Sequence, residues 1–133
     1  MYKFGKKSKE NRAGVNPKLI EISDRALEIS SNRKDGVDFV IIGSAGLRTA
    51  EQQNELFNKG VSKADGYEKL SYHQSGNALD VVPYVNGRAS WDESELLKVA
   101  VCMLQASMEL GYELEWGGFW KSFKDLPHYQ IKG

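Results

Sequence analysis

The chain has 133 residues and a mass of 14.9 kDa, the size of one domain with one core. Eighteen Lys and Arg offset eighteen Asp and Glu, and a formal net charge of zero speaks against a dedicated nucleic-acid binder, which needs a basic excess to hold phosphates. No apolar run approaches the ~18 residues of a membrane span, and the single cysteine, Cys102, excludes an internal disulfide framework. The basic start is not followed by the apolar stretch of a secretory signal, so the sequence reads as a soluble protein made in a reducing compartment. Charge is nevertheless uneven: Met1–Arg12 holds five basic residues against one acidic, a head of +4 that leaves −4 for the rest. That head reads first as a solvated, flexible tail, with contact to an anionic surface as the alternative.

In chain order, Asn16 caps a helix that begins at Pro17 and carries Leu19, Ile22, Ala26 and Ile29 at helical spacing. Val37–Ile42, between Gly36 and Gly43, is a β-branched run that reads as a buried strand. Thr49 and Gln52 form a capping box for a second helix, which stops at Gly60. The polar, aperiodic segment 61–70 reads as a surface loop. Asn77–Val82 predicts another strand, closed by Pro83, and Asn86-Gly87 marks a hairpin tip. Ser90 with Glu93 predicts the cap of the longest helix, which runs to Gly111. Leu97, Val101, Leu104 and Met108, extended by Ala100 and Met103, are its expected core face, and Cys102 is expected in the core. The aromatic, turn-rich remainder fits one or two strands with an irregular loop. Three helices interleaved with short strands make a small α+β domain over residues 1–133.

Chemistry concentrates around the two histidines, His73 and His128. Asp80 shares a strand face with Ala78 and Val82, and a carboxylate among apolar neighbours requires compensation by a metal ion or a basic partner. Gly76 permits the sharp turn that lets His73 and Asp80 converge. Two imidazoles and one carboxylate are a ligand set for catalytic zinc, with a fourth position open to water. The same set serves non-haem iron, although there the pair is usually His-x-Asp, a spacing this chain lacks. Asp125 precedes His128 by three residues, which a regular strand would place on opposite faces. A bend at Pro127 would unite them, making Asp125 either a general base or an ordinary turn aspartate. Arg48, at a strand-to-helix junction, is either a stabiliser of substrate carboxylate or oxyanion or a solvated loop arginine.

Taken together, Ser71-x-His73-x-x-Gly76-x-Ala78-x-Asp80 and Asp125-x-Pro127-His128-Tyr129-Gln130 resemble the zinc D-Ala-D-Ala carboxypeptidases of the VanY type, and most closely their phage relatives, the L-alanyl-D-glutamate endopeptidase endolysins. Gly14-Val15-Asn16-Pro17, Gly46-Leu47-Arg48-Thr49 with Gln53, and Trp116-Gly117-Gly118 before Trp120 extend the likeness from about Ser8 to Gln130. Two positions depart from it: Phe119 stands where an aspartate is frequent, and Asn16 where a histidine is. The resemblance implies the α+β fold shared with hedgehog signalling domains, an antiparallel sheet with flanking helices. It implies Zn2+ held by His73, Asp80 and His128, Asp125 as general base and Arg48 as the stabiliser of the carbonyl or its tetrahedral intermediate. It places Gln53 and Ser71 near the bound peptide.

The activity so implied is hydrolysis of the L-Ala–D-Glu bond in the peptidoglycan stem peptide by a phage endolysin. The alternatives are a carboxypeptidase of the same family that removes terminal D-Ala, and a metal-containing binding module without catalysis. Asp125 and Arg48 speak against the module, and the lack of a visible signal favours the endolysin. Expected with it are a monomer without a nucleic-acid partner or a membrane span, made in the host cytoplasm and released to act on peptidoglycan in the periplasm. The chain length leaves no room for a wall-binding domain, which suits a thin Gram-negative wall.

Overall fold

The computed structural model describes residues 1–132. Its elements are α1 (Lys6–Asn11), α2 (Pro17–Ser31), β1 (Asp38–Val40), α3 (Ala50–Asn58), a 3-10 turn at Tyr72–Ser75, β2 (Ala78–Asp80), β3 (Val82–Val85), β4 (Arg88–Ala89), α4 (Glu93–Leu110), β5 (Glu115–Trp116), a 3-10 turn at Gly117–Phe119, and β6 (His128–Gln130). Two three-stranded antiparallel sheets result, in the orders β1-β3-β4 and β2-β6-β5. The chain crosses from one sheet to the other at Val81, which is fully buried and donates its N–H to the Pro127 carbonyl at 2.9 Å. Leu19, Ile22 and Ala26 of α2 and Val99, Met103 and Ala106 of α4 close the core against Phe39, Ile41, Leu79 and Tyr129. The α+β class with antiparallel strands and flanking helices agrees with the sequence reading.

Four local expectations are corrected. The basic head is not a solvated tail, because it folds into α1 and Phe4, Ser8, Asn11 and Arg12 tie it to the rest of the domain. Phe4 and Ser8 are buried, Ser8 Oγ accepts from Ile41 N at 3.1 Å, and Asn11 Nδ2 donates to Ile41 O at 2.8 Å. Arg12, 7% exposed, donates to Ser23 Oγ at 2.9 Å and pairs with Asp24 at 2.7 Å, while Lys3, Lys6, Lys7 and Lys9 remain exposed. Pro83 does not close a strand; it lies inside β3, opposite Phe39, where its carbonyl accepts from Ser90 N at 2.8 Å.

That bond keeps Ser90 tied to the sheet, so α4 is capped two residues later at Asp92, without a side-chain bond to the helix backbone. The face of α4 is also rotated from the expected one. Leu97, Val101 and Met108 are exposed, at 41%, 47% and 80%, and the core side is Leu96, Val99, Ala100, Cys102, Met103, Ala106 and Ser107. The helix is apolar on two sides, and the side rich in Ala and Ser is the one that lets α2 approach closely.

Candidate active site

Local capping builds the loop that carries His73. Ser71 Oγ accepts from His73 N at 3.2 Å, Gln74 Oε1 accepts from Ser71 N at 2.9 Å, and Gly76 ends the turn at φ 79°, in the left-handed region. The chain then enters β2 directly, and the turn does what the spacing predicted: His73 and Asp80 face each other, Nε2 to Oδ1, at 3.3 Å. The second histidine arrives by strand register, because β2 and β6 pair Asp80 directly with His128. His128 Nδ1 lies 3.2 Å from Asp80 Oδ1, and one ligand atom from each of His73, Asp80 and His128 falls within 4.8 Å of the others.

These residues fit a zinc ion. Tetrahedral zinc with ligands at ~2.0–2.1 Å requires donor atoms roughly 3.3 Å apart, which matches both imidazole–carboxylate separations. The tautomers fit as well. His73 Nδ1 lies 2.9 Å from the Gly46 carbonyl, and a carbonyl can only accept, so that nitrogen carries the proton and Nε2 keeps its lone pair. His128 is held the opposite way round: Nε2 lies 2.7 Å from Gln130 Oε1, which leaves Nδ1 for the centre.

Asp125 reaches the same centre from the bend at Leu126-Pro127, with Oδ2 at 3.9 Å from His128 Nδ1. Trp116 Nε1 donates to Leu126 O at 2.7 Å and Asp125 N to Gly117 O at 3.1 Å, which fixes the bend. A Cβ at Gly117 would run into the Asp125 carbonyl, and one at Gly118 into the Trp116 indole, so both glycines are required by close approach. Arg48 completes the cluster from the far side. It donates to Ser44 O at 2.6 Å, to Gln53 Oε1 at 3.0 Å and to Asp80 Oδ2 at 3.4 Å.

Electrostatics sort the carboxylates. Burial pushes the Asp80 carboxyl up, but the charge and hydrogen bonds of His73 and His128 outweigh it and hold its pKa well below the usual range. Burial, then the charge of Asp80, pushes Asp125 up against the opposing pull of His128, His73 and Arg48. The carboxylate bonded between the imidazoles is thus the permanent anion, and the one at the edge is the easier to protonate. That division suits a ligand and a proton carrier.

A family model for phage L-alanyl-D-glutamate peptidases matches residues 1–132. The chain belongs to that family. It is 36% identical over 132 residues to the L-alanyl-D-glutamate peptidase of Escherichia phage T5, covering 98% of this chain and 90% of that protein. The peptidoglycan L-alanyl-D-glutamate endopeptidase CwlK of Bacillus subtilis matches at 34% over 130 residues, 85% of this chain and 71% of the other. The solved structure of the Serratia marcescens L-Ala D-Glu endopeptidase ChiX superposes with a TM-score of 0.81 at 35% identity, over 98% of this chain and 90% of that one. DacB of Streptococcus pneumoniae shares the fold, with a TM-score of 0.54 at 19% identity over 95% and 71% of the two chains.

Within this member of the family, five of the seven residues singled out in the sequence converge: His73, Asp80, His128, Asp125 and Arg48. Gln53 stands one step back. It is fully buried, and beyond Arg48 its amide nitrogen donates to Ser62 Oγ at 2.8 Å and Ala64 O at 2.9 Å. Ser71 caps the His73 turn. The Gly46 carbonyl and Gln130 were missed; Gln130 lay inside the motif, and its position two residues after His128, on the same strand face, was the available signal. Phe119, 68% exposed, stacks edge-on against Trp116 at 4.8 Å. It lines a groove of about 640 Å³ with Tyr72, Tyr112, Trp116, Gln130 and Lys132, a groove that borders the cluster but is not lined by its three metal-type residues.

Proposed function

We propose that the chain hydrolyses the L-Ala–D-Glu bond of the peptidoglycan stem peptide as a zinc-dependent lytic enzyme of phage type. The observation that carries this reading is the meeting of His73, Asp80 and His128 with Asp125 and Arg48 in one cluster. When bound, zinc supplies Lewis acidity, polarising the scissile carbonyl and making water acidic enough to react near neutral pH. His73 Nε2, Asp80 and His128 Nδ1 would hold it. Asp125 accepts the proton of the attacking water and returns it to the leaving amine, a transfer its raised pKa favours. Burial pushes the Arg48 pKa down against the opposing charges of Asp80 and Asp125; as an arginine it still carries its proton and donates to the oxygen on which negative charge develops. Gln53 acts through Arg48 by fixing the guanidinium, and Ser71 both caps the His73 turn and offers its hydroxyl proton to the peptide. The adjoining groove gives room for substrate beyond the scissile bond. The protein works as a monomer on peptidoglycan in the periplasm.

The test is mass spectrometry of purified Gram-negative peptidoglycan digested with and without a chelator. Chelator-sensitive release of stem peptides beginning with D-Glu, with L-Ala left on the glycan, is expected. Loss of terminal D-Ala alone would replace the reading with a carboxypeptidase. Absence of cleavage with added zinc would replace it with a binding module. Asp125→Ala is expected to retain zinc and abolish turnover.

A further inference from the structure

Glu115 is an exposed carboxylate on β5, paired directly across the strands with Gln130. Its Oε2 accepts two hydrogen bonds, from Gln130 Nε2 at 2.7 Å and from Trp120 Nε1 at 3.0 Å. Gln130 in turn offers Oε1 to His128 Nε2 at 2.7 Å. An amide has one accepting and one donating end, whereas a carboxylate only accepts. Glu115 therefore decides which end of Gln130 faces the histidine: the amide nitrogen goes to the carboxylate and the oxygen is left for the ring. That oxygen accepts only from a protonated Nε2, so Nδ1 keeps the lone pair that points toward Asp80. The same carboxylate oxygen anchors Trp120, whose ring lies 5.2 Å from the His128 imidazole at an interplanar angle of 48°.

We infer that Glu115 is a positioning residue for the metal centre, setting the His128 tautomer through Gln130 and the tilt of its ring through Trp120. The inference rests on His128 being a metal ligand. A neighbour that merely braced the two-residue strand β5 would leave the ring proton where it is. A relay partner moves it. Partners of this kind, one bond removed from a ligand, typically contribute about 10–100-fold in metal affinity.

The experiment compares zinc-loaded wild type with Glu115→Ala, Glu115→Gln and Glu113→Ala, the last removing an exposed carboxylate that lines the same groove. Long-range proton–nitrogen NMR reports which ring nitrogen of each histidine carries hydrogen, and chelator competition reports zinc affinity. In wild type, His73 is expected to carry its proton on Nδ1 and His128 on Nε2, the latter exchanging slowly with water. Glu115→Ala should make the His128 proton exchange fast and weaken zinc binding about tenfold, with the His73 signals unmoved. Glu115→Gln keeps an accepting oxygen, which the Trp120 N–H holds at the position facing Gln130, and should restore both properties; Glu113→Ala should change neither. Wild-type exchange and zinc affinity in Glu115→Ala would overturn the inference while leaving the peptidase reading intact, and so would a Glu115→Gln protein as impaired as Glu115→Ala. A zinc-loaded wild type in which neither His128 nitrogen is metal-bound would overturn the inference and the proposed ligand set together.

Discussion

Arg48 keeps its guanidinium in place with three separate acceptors, the Ser44 carbonyl, Gln53 Oε1 and Asp80 Oδ2, and its side chain is only 10% exposed. Lysine carries the same charge but cannot present a planar fork to three directions at once. In Arg48→Lys, kcat is expected to fall by about 10²-fold, the usual loss when one aimed oxyanion donor goes. Zinc content should be unchanged, because both imidazole contacts to Asp80 remain. Metal loss in that variant would mean that the Arg48–Asp80 contact sustains the centre instead of serving the reaction. His73, Asp80 and His128 were legible as a possible ligand set from residue type and spacing, whereas Asp125 and Arg48 stayed open between a reacting and an ordinary role until the family resemblance was added. What Gln53 does was not legible, because spacing says nothing of burial: the resemblance puts it beside the peptide, whereas its amide is fully enclosed and bonded to Arg48, Ser62 and Ala64.

At the scale of elements, the proposed ligands and the proposed base are held by different devices. The pair Asp80 and His128 depends on β2–β6 register, which a one-residue slip would destroy by turning both side chains to the other face. Asp125 depends instead on the close approach of Gly117. A methyl group at Gly117 must push the Asp125 backbone away while leaving β2 and β6 paired. Gly117→Ala is therefore expected to retain zinc and lower kcat by about 10²-fold, within the range general-base catalysis contributes. A variant that lost zinc in proportion to activity would show that the Trp116-Gly117-Gly118 run supports the ligands instead. The helices explain what the sequence hid. Capping at Asn16 and Thr49 is a local signal and was readable. The orientation of α4 is a tertiary decision between two apolar stripes, made by which one lets α2 come close. The short helix α1 contains three lysines and gains its place from buried partners far along the chain, Ile41 and Ser23, that no local pattern reveals.

Over the whole molecule, the same cluster links folding to pH and to metal. Without metal, burial opposes charge on His128, but the hydrogen bond and charge of Asp80, then Gln130, outweigh it and raise its pKa. A folded pKa above the unfolded value of ~6.5 contributes stability that is full below that pH and is lost as pH rises through the folded value. Asp80 runs the other way: its lowered pKa contributes stability above ~3.9 that is lost only as pH falls through the depressed folded value. The metal-free chain should thus be best supported by this cluster in mildly acidic solution and lose that support as His128 is neutralised. Zinc requires the neutral imidazole and displaces its proton, so its stabilisation grows over the same interval. At a hundredfold excess over its Kd a ligand contributes ~2.7 kcal/mol, a melting shift of several degrees for a domain of this size. Thermal melts with chelator and with zinc, at pH 5.5 and 7.5 on either side of the ~6.5 reference value, measure it. The zinc-induced rise in Tm is expected to be clearly larger at the higher pH, and His128→Ala should flatten the difference. An equal rise at both values in the wild type would mean that zinc is held without displacing a proton from His128, against the ligand role assigned to its Nδ1.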